Sequence, residues 1–198
     1  MALPSYDKSK RRQSFQQLPK GAYVIQIKQA KEVQSKSGGG SHLAIVFDIA
    51  EGEYKDFYLK QYQGNTNEDK KWPNDAVFRM TIPNSNSQDY IWTSWNSFFA
   101  DLEDSNNGFV FAGDVSSLKG KLIGGKFHIE QTEYRGNIYD HTRLRWTCIA
   151  DAVRNGKAGQ MPKDKLVSNS SHNSNTIPTD ESGFMAIPDG GEDEVPFI

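Results

Sequence analysis

The chain changes its hydrophobic period twice, and this constrains its fold more than any other feature. From Ala22 to Val33, Tyr23, Ile25 and Ile27 alternate with Val24, Gln26 and Lys28, which predicts a strand with one buried face. His42 to Ala50 repeats the two-residue period with Leu43, Ile45, Phe47 and Ile49. Tyr54 to Tyr62 reads as a further extended segment, and Val77 to Ile82, closed by Pro83, as the third strand signal. The period then lengthens. Ile91, Trp95, Phe98, Phe99 and Leu102 recur at intervals of four, three, one and three, the stripe of an amphipathic helix between Gln88 and Glu103. Alternation returns in Phe127 to Tyr134 and Ile138 to Ile149, on either side of an Arg135-Gly136-Asn137 turn. The expected fold class is mainly β: a five-stranded OB-type Greek-key barrel with one helix between strands 3 and 4.

The periodic region has polar flanks. Residues 1–17 form a basic arm with Lys8, Lys10, Arg11 and Arg12 close together, expected to be flexible. The barrel domain is expected over 18–155, with a flexible loop from Ser35 to Ser41. From Gly156 the apolar pattern fades, and 168–183 are rich in Ser, Asn and Thr, which bury too little surface to offset ordering entropy. Residues 156–191 therefore read as linker and 192–198 as a separate acidic tail.

Charge divides along the same lines. The formal net charge is -2, but Asp180, Glu181, Asp189, Glu192, Asp193 and Glu194 all lie beyond residue 179, with no Lys or Arg among them. Without these six, 23 basic residues face 19 acidic ones, so the rest of the chain carries net +4. The single Cys148 excludes an intramolecular disulfide. No signal-peptide h-region and no long apolar run is present, so a cytoplasmic, non-membrane protein is expected.

Aromatic and basic residues interleave where the barrel would be. Tyr58, Lys60 and Tyr62 share one face of an extended segment, followed by Lys70, Lys71 and Trp72. Arg79 points opposite to Phe78 and Met80; Tyr139, His141, Arg143 and Arg145 share a parity, with Leu144, Trp146 and Cys148 on the other. Cations follow phosphates and flat rings stack on unpaired bases, so Tyr58, Lys60, Tyr62, Lys70, Lys71, Trp72, Arg79, Tyr139, Arg143 and Arg145 are the candidate DNA contacts. Cross-strand packing of the tyrosines and ordinary surface charge are the competing explanation.

The terminus, Glu192-Asp193-Glu194-Val195-Pro196-Phe197-Ile198, places acids before an apolar tip. Charge would steer this segment to a basic surface, and Phe197 would fill a pocket there. In this respect the chain resembles the single-stranded-DNA-binding (SSB) family and its phage relatives, whose acidic tails end in Asp-Asp-Asp-Ile/Leu-Pro-Phe. The resemblance implies that Asp193, Glu194, Val195, Pro196, Phe197 and Ile198 recruit replication, recombination and repair proteins. Ile198 departs from the pattern by separating Phe197 from the terminal carboxylate. Segments such as Asp48-Ile49-Ala50-Glu51-Gly52-Glu53, Asn65-Thr66-Asn67-Glu68-Asp69-Lys70-Lys71-Trp72 and Gly120-Lys121-Leu122-Ile123-Gly124-Gly125 also resemble SSB-like phage and prophage proteins. The ordinary bacterial SSB body motifs are not evident, so the resemblance does not extend to their tetramer.

Enzymatic constellations are weak. His128, Glu130, Asp140 and His141 flank one hairpin, yet no second acidic motif supports a metal site. Neither Gly38-Gly39-Gly40 nor Gly124-Gly125 has phosphate-loop spacing. The expected function is binding and protection of single-stranded DNA in phage or mobile-element replication and recombination, without catalysis or cofactor. An RNA-binding OB protein, a recombination mediator or a protein-interaction adaptor is the alternative.

Overall fold

The computed structural model describes residues 16–35 and 40–167. The basic arm up to residue 15, the loop residues 36–39, the linker beyond 167 and the acidic tail 192–198 lie outside them. Among the described residues five strands form where the two-residue period predicts: β1 Ala22–Gln34, β2 Ser41–Ile49, β3 Val77–Thr81, β4 Leu122–Tyr134 and β5 Asn137–Cys148. The α-helices of the described residues are α1 Phe57–Gly64, α2 Asp89–Ser105 and α3 Ala150–Arg154. Short 3-10 turns at Asn74–Ala76 and Val115–Leu118 lead into β3 and β4. None of the described helices is long and apolar enough to cross a membrane.

The strands form one antiparallel sheet in the order β3-β2-β1-β4-β5, with the predicted helix, α2, between β3 and β4 in sequence. The closed barrel expected from the element order is not formed, because β3 and β5 are not hydrogen-bonded to each other. Side chains cross this seam instead. Asp75, two residues before β3, lies 3.3 Å from His141 Nδ1 and 3.4 Å from Arg143 Nε on β5. The lead-in segment also fills it: Thr142 Oγ1 donates to the Leu18 carbonyl and accepts from Gln17 Nε2.

One face of the sheet carries the core. Ile25, Ile27, Leu43, Ile45, Phe47, Ile49, Ile123 and Phe127 are buried against Phe98, Phe99 and Leu102 of α2. The α2 stripe is the one the sequence predicts. Asn106, just past its end, fixes the helix to β4 by donating to the Leu122 carbonyl (2.7 Å) and accepting from the Leu122 amide (3.0 Å). Val24, expected on the open face of β1, is also buried. It pairs with Gly124, over which α3 packs so closely that an added Cβ would lie 2.7 Å from Val153 Cγ2. The β4–β5 turn places both Arg135 and Gly136 at positive φ, the conformation that matches the twist of a two-residue hairpin.

Two expectations fail for reasons the local sequence does not carry. The extended segment from Tyr54 to Tyr62 is interrupted by α1. The fully buried Asp48 of β2 supplies acceptors for the first amides of this helix, taking Tyr58 N–H on Oδ1 (2.9 Å) and Leu59 N–H on Oδ2 (3.0 Å). A strand residue thus caps a helix, without any capping side chain at Asp56. Trp146, whose parity with the buried Leu144 predicts a core position, is 44% exposed. Register passes from Lys126↔Trp146 to Phe127↔Leu144, leaving Arg145 as the extra residue of a bulge, and one extra residue reverses the parity of those beyond it.

Past Gly156 the chain remains attached to the sheet. Lys165 pairs in parallel with Glu130, donating its amide to the Ile129 carbonyl (2.9 Å) and accepting from the Gln131 amide (2.8 Å). This strip covers the edge of β4 beyond its pairing with β1 and so removes an exposed ladder.

Candidate nucleic-acid interface

The ten candidate contacts divide into groups with different roles. Tyr58 is 2% exposed and belongs to the core, with its ring edge-on to Phe47 at 5.9 Å. Its place in the contact set is therefore corrected, because on a helix residues 58 and 62 no longer share the open face of a strand. Tyr62, one turn further on, meets Trp72 with ring centroids 5.7 Å apart. Lys70 Nζ lies 4.9 Å from the Tyr62 centroid, within cation–π range. Lys60 is exposed on α1 with its ammonium donating to the Lys55 carbonyl, and Lys71 is exposed beside Trp72.

Arg79 stands exposed on β3, with Met80 buried and Phe78 half-buried on the opposite face, as the alternation predicts. Its Nη1 approaches Asn74 Oδ1 at 3.4 Å, which joins Arg79 to the segment that carries Trp72. Register places Arg79 opposite Ala44, and Ala44 opposite Lys31. On the outer side of β3-β2-β1 the buried Ala44 therefore lies between two long cations.

The β5 set is brought only partly into this surface. Arg143 lies between Glu130 (3.1 Å) and Asp75 (3.4 Å), and Glu130 also takes Lys165 at 2.8 Å. These ion pairs place Arg143 at the seam with its guanidinium shared between two carboxylates. Burial works to raise the Glu130 carboxyl, but Lys165, Arg143 and His128 outweigh it and hold the group below its ordinary value. Arg145 is exposed at the bulge, and Tyr139 is 47% exposed on the distal part of the hairpin. There Tyr134 is 60% exposed, with the Arg135 guanidinium 5.1 Å from its ring. Alternation alone leaves Tyr134 and Arg135 unremarked. The signal available was their position beside the predicted turn.

The Trp72–Asp75 segment stands between the two groups, with Asn74 facing Arg79 and Asp75 facing Arg143. Trp72 Nε1 and Tyr58 Oη, near this segment and on α1, are the buried side-chain polar atoms that lack a hydrogen-bond partner among the described residues. An unpartnered buried donor costs about 1–3 kcal/mol, which a hydrogen-bonded water offsets.

The hairpin group considered for a metal is otherwise engaged. His128 is buried with Nδ1 2.9 Å from the Lys163 carbonyl, and His141 faces Thr132 and Asp75. No cluster of three or more His, Cys, Asp or Glu side chains among the described residues is placed to hold a metal ion. The chain matches no protein-family model and has no significant match among curated proteins.

Proposed function

We propose that the chain is a single-stranded-DNA-binding protein of OB type, serving replication or recombination of a phage or mobile element. The observation that carries this reading is the Tyr62–Trp72 ring pair, with Lys70 against it and Arg79 joined to the same segment through Asn74. Rings that accept stacked bases beside cations that follow phosphates are what unpaired strands require. A five-stranded, partly open sheet with the helix between its third and fourth strands is also a form the OB fold takes. The tail residues Asp193, Glu194, Val195, Pro196, Phe197 and Ile198 lie outside the described residues. Their proposed part, recruitment of partner enzymes to coated DNA, rests on the sequence.

Titration of labelled oligo-dT, matched RNA and duplex DNA tests the reading. Oligo-dT is expected to bind most tightly, losing about 0.7 log units of affinity per tenfold salt for each phosphate neutralised. Trp72→Ala should weaken it by roughly 1–3 kcal/mol. Preference for RNA moves the protein to the alternative class, and equal affinity for duplex refutes the reading.

A further inference from the structure

Helix α2 turns an aromatic side to solvent. Trp92 is 41% exposed, one turn before Trp95 on the same side of the helix. Trp95 meets Phe99 with ring centroids 4.8 Å apart, and Phe99 stacks on Phe111 at 4.0 Å. Glu103 Oε1 accepts from the Phe111 amide at 2.8 Å, which holds the segment after α2 against the helix and leaves Val110 74% exposed. The core thus continues outward into an apolar ridge, the kind of surface that marks an interaction site.

Charge selects the occupant. Residues 81–118, which include α2, carry Asp89, Asp101, Glu103, Asp104 and Asp114 and no Lys, Arg or His. Such a surface repels phosphates, and equally the acidic tail at 192–198. It already holds one cation over a ring, with Lys121 Nζ 4.3 Å from the Phe109 centroid. The fitting occupant is a short segment that combines several cations with an apolar side chain or two. Residues 1–15 have that composition: Lys8, Lys10, Arg11 and Arg12 stand with Tyr6 and Phe15 against the single acid Asp7. They join the described chain at Gln16, whose carbonyl accepts from Gln61 Nε2 of α1 at 2.9 Å. A segment of this length reaches about 50 Å when extended, against roughly 40 Å across a domain of this size. The tether also keeps the segment at a high local concentration.

We propose that the exposed side of α2 docks the chain's own basic arm, residues 1–15, with an arginine stacked on Trp92 and the other cations facing Asp89, Glu103 and Asp104. The inference does not rest on the single-strand reading. Phe98 of α2 meets Phe78 with centroids 6.3 Å apart, and Arg79 points the other way from β3. The docked arm is therefore held on the side of the sheet away from Arg79, and its four cations are withheld from that surface.

Two measurements on the full chain decide it: carbodiimide coupling, which joins lysine amines to adjacent carboxylates, and the indole N–H resonance of Trp92, identified by its loss in Trp92→Phe. At about 0.01 M salt, where the Debye length is about 30 Å, Lys8 or Lys10 should couple to Asp89, Glu103 or Asp104 within one chain. At about 1 M, where that length is about 3 Å, the coupling should fall roughly fivefold or more. Changing Lys8, Lys10, Arg11 and Arg12 together to Glu should shift the Trp92 resonance and leave the melting temperature unchanged. Asp89→Lys with Asp104→Lys, both at exposed positions, should shift it likewise, and joining them to the reversed arm should return it. A Trp92 resonance indifferent to the charge of the arm overturns the contact, as do arm couplings confined to other carboxylates. Coupling found only between chains overturns the intrachain docking and makes this side of α2 an interface between copies.

Discussion

Asp48 is the residue on which most of the local architecture converges. Its carboxylate is buried on β2 and accepts from three backbone amides, those of Ile49 and Tyr58 on Oδ1 and that of Leu59 on Oδ2. Burial pushes its carboxyl up, opposed by the same three N–H groups and by Lys28. Asp48→Ala would strand these donors in the interior, a cost on the order of 2–4 kcal/mol. Asp48→Asn can keep the two bonds on Oδ1 and loses the one from Leu59, so a smaller loss is expected. Urea denaturation of the three proteins checks the order. Equal stability would mean that α1 does not depend on this cap. The same residue explains why Tyr58 lies on a helix rather than a strand. Its alternation with Lys60 and Tyr62 is legible in the sequence, but the carboxylate that turns the segment into a helix is ten residues away.

At the scale of elements, close approach of α3 and ion pairs at the seam add to the ladders and core that hold the sheet together. An added Cβ at Gly124 would meet Val153 Cγ2 at 2.7 Å and the Cys148 carbonyl oxygen at 2.8 Å; at Gly125 it would meet Leu144 Cδ1 and Phe127 Cε2, both side-chain ends. Backbone cannot yield as side-chain ends can. Gly124→Ala is therefore expected to cost about 1–3 kcal/mol and to loosen α3, with Gly125→Ala costing less. Thermal melts of the two variants measure the difference. The β4–β5 hairpin is tied to the Lys165 strip and to Asp75 through Glu130 and Arg143. Because the folded Glu130 carboxyl lies below its ordinary value of 4.5, its contribution is complete above that value. It is lost as pH falls from there through the folded value. Glu130→Gln should flatten the acid limb of a stability–pH curve. An unchanged limb would show that other carboxylates control it.

For the whole molecule, the division of charge sets the expected behaviour. Deleting residues 192–198 should leave the melting temperature unchanged and preserve binding to oligo-dT, with a gain at low salt if the acids compete for the same cations. It should also abolish capture of replication or recombination proteins, and Phe197→Ala should reproduce most of that loss. A melting temperature lowered by several degrees with partner capture intact would make the tail structural. The sequence by itself determined the five strands, the position of α2 and the β4–β5 turn, because each depends on periodicity or turn chemistry within about a dozen residues. It also placed Arg79 on the open face and set Lys70 and Trp72 close to one another. Tertiary structure alone decided that Tyr58 joins the core, that Arg143 is shared between Asp75 and Glu130, and that a bulge at Arg145 turns Trp146 outward. It also decided that residues 163–165 cover β4 and that β3 and β5 meet through side chains rather than a ladder. Each of these depends on a partner that the chain brings near only by folding, so no local pattern records it.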